Sequence, residues 1–73
     1  MLIISNTGQT IYVNFDHIIK QGDISILSKN QSVILFKRFT NCNSIKYHLE
    51  PHSGPVILKL RFDGETITKH III

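Results

Sequence analysis

The stretch Val56-Ile-Leu-Lys-Leu-Arg-Phe-Asp-Gly-Glu-Thr-Ile-Thr-Lys-His-Ile-Ile-Ile73 decides how this chain folds. Its centre, Asp63-Gly64, suits a two-residue type I′ turn, in which both central residues take positive φ. Along Val56 to Phe62 apolar and polar residues alternate, the period of a strand with one buried face. A two-residue turn also sets the register. Leu60 opposes Ile67 and Val56 opposes Ile71 on the apolar face, while Arg61 opposes Thr66 and Lys59 opposes Thr68 on the polar face. The same register puts Glu65 and Lys69 on the apolar side, so either they are rim positions or the turn is longer.

The same grammar extends toward the N-terminus. Ile45, Tyr47 and Leu49 alternate with Lys46, His48 and Glu50 until the Pro51-to-Pro55 loop. Ile24 to Leu27 and Val33 to Phe39 flank the polar connection Ser28-Lys-Asn-Gln-Ser32 and read as one hairpin. Leu2 to Ser5 and Thr10 to Phe15 flank Asn6-Thr-Gly-Gln9 and read as another, with Gly8 free to take positive φ. Residues 16–21 admit two readings. Asp16 caps a single helical turn that Gly22 ends, or the strand continues through Ile18 and Ile19. The expected fold is a single small all-β domain over residues 1–73, with five to seven short antiparallel strands in a meander or small barrel. One short helical turn near residues 16–21 is the alternative.

Composition agrees with a folded domain and narrows the rest. With 42% hydrophobic and 18% charged residues, the chain of 73 residues has enough apolar side chains to fold. A single core of this size rarely supplies more than ~3–5 kcal/mol without help. Cys42 is the only cysteine, so no internal disulfide adds to it, and a reducing, cytoplasmic setting is expected. The first residues carry no basic n-region and the longest apolar runs are four residues, so neither a secretory signal nor a membrane span is expected. The net charge of +3 favours acidic partners.

Chemistry-bearing groups are sparse. His48, Glu50 and His52 fall at every second position, a spacing that can line one strand face with imidazole and carboxylate ligands. However, Pro51 breaks the ladder between them, and an exposed polar face explains the pattern better. Cys42 has no identifiable base beside it, the four glycines are isolated, and on a strand Asp16 and His17 point to opposite faces. No enzymatic activity and no cofactor are expected.

Two binding readings remain. Lys37, Arg38, Lys46, Lys59, Arg61 and Lys69 give the charge for nucleic-acid binding of the small-barrel type. The rings of Phe15, Phe39, Tyr47 and Phe62 fall on apolar faces, however, and the face of Lys59, Arg61 and His70 offers only Ile57 and threonines. Phosphate contact alone is weak and salt-sensitive. The second reading rests on surplus apolar strand. Ile71, Ile72 and Ile73 would template aggregation at an uncovered edge, so self-association into a homodimer is expected there. The expected function is therefore a non-catalytic protein-binding module with an acidic partner, bound by Lys59, Arg61 and His70 with Lys37 and Arg38. Charge reversal at Lys59 and Arg61 should weaken that binding. A short domain rich in Ile, Lys and Asn also resembles, in style alone, products of AT-rich phage or mobile elements. That makes an inhibitor acting by steric occlusion one version of this expectation.

Overall fold

The computed structural model describes residues 2–49 and 54–73. Five antiparallel strands form one sheet: β1 (Ile3–Thr7), β2 (Thr10–Ser28), β3 (Val33–His48), β4 (Pro55–Phe62) and β5 (Glu65–Ile72). β2 is the spine. On one side it pairs with β3 along both its halves. On the other side, β1 lies against its first half and β4 against its second, with β5 outside β4. Among the described residues no helix is long and apolar enough to cross a membrane.

The last hairpin takes the register that Asp63-Gly64 dictates. Asp63 and Gly64 have φ of 52° and 75°, the pair of positive values a type I′ turn needs. Leu60 opposes Ile67, Val56 opposes Ile71, Arg61 opposes Thr66 and Lys59 opposes Thr68. The turn is therefore no longer than two residues, and Glu65 and Lys69 are rim positions. Lys69 reaches across the open lip, donating from Nζ to the Ile4 carbonyl at 3.1 Å, and Asn6 Nδ2 donates to the Ile72 carbonyl at 3.4 Å. Side chains thus bridge the seam between β1 and β5.

Two strands are much longer than the sequence pattern suggests, because what reads as separate short runs is continuous. A straight strand of 19 residues would span about 60 Å at ~3.3 Å per residue, yet the longest dimension of the molecule is 31 Å. β2 must therefore bend. The bend lies where its pairing with β3 slips: Asn14 faces Ser44, but the next pair is Ile19 with Cys42. Residues 15–18 thus stand opposite Asn43 alone, a large bulge of the kind that sharpens twist and lets a sheet curl. The sheet closes into a half-barrel.

A helical turn over residues 16–21 is the expectation that this geometry overturns. The segment is extended throughout. Ile19 is buried beneath the bend, and Gly22 is a strand residue rather than a helix stop. Its lack of a side chain is steric in purpose: a Cβ there would lie 2.5 Å from the Arg61 carbonyl oxygen and 2.6 Å from the Phe39 ring. Three rings fill the corner. Phe15 lies tilted against Phe39 at 5.7 Å between centroids and meets Phe62 edge-on at 5.0 Å. The remaining core lines the concave side: Ile11, Val13, Ile24, Ile26, Leu49, Val56, Leu58, Leu60 and Ile71 are buried with them.

Candidate functional site

Curling divides the second half of the sheet into a concave core side and a convex outer side. Residues paired across antiparallel strands share a face, so the register fixes the outer rows. Arg38, Asp23, Arg61 and Thr66 make one row across β3, β2, β4 and β5. Phe36, Ser25, Lys59 and Thr68 make the next, followed by Val33, Leu27, Ile57 and His70. Ile72, opposite Pro55, continues the face beyond His70. The surface grades from charged at one end to apolar at the other. Phe36 is 46% exposed, Val33 64% and Ile72 77%.

Of the residues singled out in the sequence, Lys59, Arg61, His70 and Arg38 come together on this face. Lys37 does not, because it pairs with the core residue Ile24 and so sits on the concave side at the edge. Phe36 corrects the expectation that this face offers no ring. Its signal was present, since Phe36 and Arg38 are two apart and share a side. Val33 joins them only because the pairing slips between Ile26 and Leu27, which leaves Ile34 as an extra residue and reverses the alternation. The self-association stretch is divided: Ile71 belongs to the core, Ile72 faces out, and Ile73 exchanges two backbone hydrogen bonds with Gly54.

The charged end is organised by one carboxylate. Arg61 grips Asp23 with both prongs, Nε to Oδ1 at 3.0 Å and Nη2 to Oδ2 at 2.8 Å. Asp23 is 16% exposed and Arg61 62%. This hydrogen bond, with Coulombic help from Arg61 and Arg38, holds the Asp23 carboxyl below the ordinary carboxylate value against the opposing effect of desolvation. The folded-state pKa lies below the unfolded one, about 3.9. Its stabilising contribution is therefore full above that pH and is lost as acid takes the pH down through the folded value. Thermal melts of wild type and Asp23→Asn should accordingly show a gap near neutrality that closes on acidification; a constant gap would contradict this.

A shallow groove of about 880 Å³ opens beside this pair, lined among others by Lys20, Asp23, Arg38, Arg61, Asp63 and Glu65. Its three cations are matched by three carboxylates, so it is no anion cradle. A smaller recess of about 400 Å³ lies along Asp23, Ser25, Leu27, Lys59, Arg61 and Thr66. The smaller recess follows the outer face of the sheet, whereas the larger groove wraps round its end and also takes in Phe39, Phe62 and Glu65 from the concave side.

Elsewhere the chemistry is thin. Asp16 and His17 do meet, contrary to strand alternation: His17 Nδ1 is 2.7 Å from Asp16 Oδ1 and its Nε2 is 3.4 Å from Asp63 Oδ2. The bulge is the cause, because residues 15–18 have lost the ladder that enforces alternation. All three side chains are exposed and both imidazole nitrogens face carboxylates, so neither is turned toward a substrate. His48 lies on the other half of the sheet, its Nδ1 3.0 Å from Thr10 Oγ1. Glu50 and His52 lie outside the described residues. Among the described residues no three His, Cys, Asp or Glu side chains are placed to hold a metal. Cys42 is half-buried and unpaired to another cysteine. Burial, reinforced by Cys42, pushes the Tyr47 phenol above its ordinary value.

The chain matches no protein-family model, and comparison with curated proteins finds no relative.

Proposed function

We propose that this chain is a non-catalytic protein-binding module of the cytoplasm that works by covering a surface of its partner. The observation that carries this reading is the outer face of the β3–β2–β4–β5 sheet. An exposed ring at Phe36 and exposed aliphatics at Val33 and Ile72 stand there beside Arg38, Lys59 and Arg61. Aromatic and arginine side chains are enriched at protein interfaces and dominate their energetics. The cations select an acidic partner, chiefly by steering and by rejecting basic surfaces. Occlusion of a host enzyme by this face is the inhibitory version of the same mechanism, and Ile72 is where a second copy would meet it.

Nucleic acid is the second reading, favoured by the single observation that the exposed Phe36 ring shares the outer face with Arg38, Lys59 and Arg61. One ring gives one stacking site, and Asp23 stands in the middle of the basic row, opposing a phosphate track.

The test uses Phe36→Ser with Lys59→Glu. Arg61 is left alone, because reversing it would set a second carboxylate against Asp23 and confound binding with stability. Both substituted residues are exposed, so thermal stability should stay near wild type. Affinity capture from the source cells should lose its acidic protein partner. Full retention of that partner by the double variant overturns the proposal. Recovery of nucleic acid instead of protein selects the second reading.

A further inference from the structure

We propose that the outer edge of β3 over Val33–Thr40 takes up an acidic extended segment of the partner protein as an added strand; this rests on the protein-binding reading above and names how part of it is achieved. Among the described residues β3 has β2 as its one strand partner, so its other edge presents main-chain donors and acceptors with no strand against them. Such an edge is a template for a further strand.

The edges of the sheet are not equivalent. β1 and β5 face each other across the seam, where Lys69 donates to the Ile4 carbonyl and Asn6 to the Ile72 carbonyl, so carbonyls of both strands are engaged. β3 lies on the opposite border of the sheet.

Charge then selects the occupant. From Val33 to His48 the strand carries Lys37, Arg38 and Lys46 and no carboxylate. Arg38 lies on the outer face and Lys37 on the concave side, so an added strand meets a cation on both of its faces. A second copy of β3 fits badly. Antiparallel self-pairing centred between Lys37 and Arg38 would set each Lys37 directly opposite the copy's Arg38, and pairing about the middle of Val33–Thr40 would leave the same two cations as diagonal neighbours on one face; like charges so placed are destabilising. A strand with carboxylates at those positions reverses the sign. Val33 and Phe36 supply apolar contact for its other side chains.

The test uses the intact chain and three blocked peptides that match Val33–Thr40 in length. One is built of valine and glutamate, one has every glutamate replaced by lysine, and one is the glutamate peptide N-methylated at alternate amides. Amide exchange is read residue by residue. The glutamate peptide should slow exchange within Val33–Thr40, and the lysine and N-methylated peptides should not. Lys37→Glu with Arg38→Glu should exchange the preference, losing the glutamate peptide and gaining the lysine one. Protection by the glutamate peptide at β5 instead of β3, undiminished binding of the N-methylated peptide, or no binding of the glutamate peptide would each overturn strand addition. The outer-face reading is tested separately by Phe36→Ser with Lys59→Glu. Loss of capture there, alongside failure here, leaves a face-binding module without an added strand.

Discussion

Alanine at Gly22 is expected to remove most of the stability of this domain. The new methyl carbon would stand 2.5 Å from the Arg61 carbonyl oxygen and 2.6 Å from the Phe39 ring, both well inside contact distance. The ring can yield, but the carbonyl belongs to β4, whose pairing with β2 fixes it. Overpacking typically costs about 1–3 kcal/mol and occasionally more, and a core of this size supplies about 3–5 kcal/mol. Urea unfolding of Gly22→Ala should therefore show a collapsed midpoint or no cooperative transition. Adding Phe39→Leu removes the ring from the conflict and leaves the carbonyl, so the double variant should remain crippled. A wild-type midpoint for Gly22→Ala would mean that β2 and β4 do not approach as described.

Truncating Ile24 should have an effect of similar size for the opposite reason. Ile24 is fully buried at the centre of the sheet, between Lys37 of β3 and Leu60 of β4 in the ladder. Ile24→Ala costs about 2–5 kcal/mol through lost burial and the cavity left behind, and Ile24→Val about 0.5–1.5 kcal/mol. The alanine variant should be largely unfolded in buffer, whereas the valine variant should fold and give a measurable shift in its unfolding midpoint. Phe36→Ala, equally apolar but on the outer face, should melt close to wild type. Equal costs for Ile24→Ala and Phe36→Ala would contradict a buried concave side and an exposed convex one.

The contrast between these positions shows what the residues disclose by themselves. The β4–β5 hairpin was legible to the residue, because Asp-Gly chemistry and period-two alternation both act locally and agree. So did the inward set Ile45, Tyr47 and Leu49. The bend was not legible. Phe15, His17 and Ile19 share a parity and should share a face, but the bulge lets Phe15 and Ile19 turn in while His17 turns out to meet Asp16 and Asp63. A bulge depends on the partner strand, here β3 around Asn43, which lies far along the chain. Gly22 reads locally as a helix stop for the same reason, since the atoms that exclude a side chain there come from Arg61 and Phe39. The outer face was half legible. Lys59, Arg61 and His70 follow from one hairpin register, whereas Phe36, Val33 and Leu27 join them through pairings between distant strands, one of them across a bulge.

The convex face as the working surface is tested most directly by a photoreactive phenylalanine analogue placed at position 36 and, in a separate variant, at position 18. Ile18 is also an exposed apolar residue but sits on the bend, away from that face. Irradiation in the source cells should couple the protein covalently to an acidic partner from position 36 and not from position 18. Coupling from position 18 with none from position 36 would contradict the account.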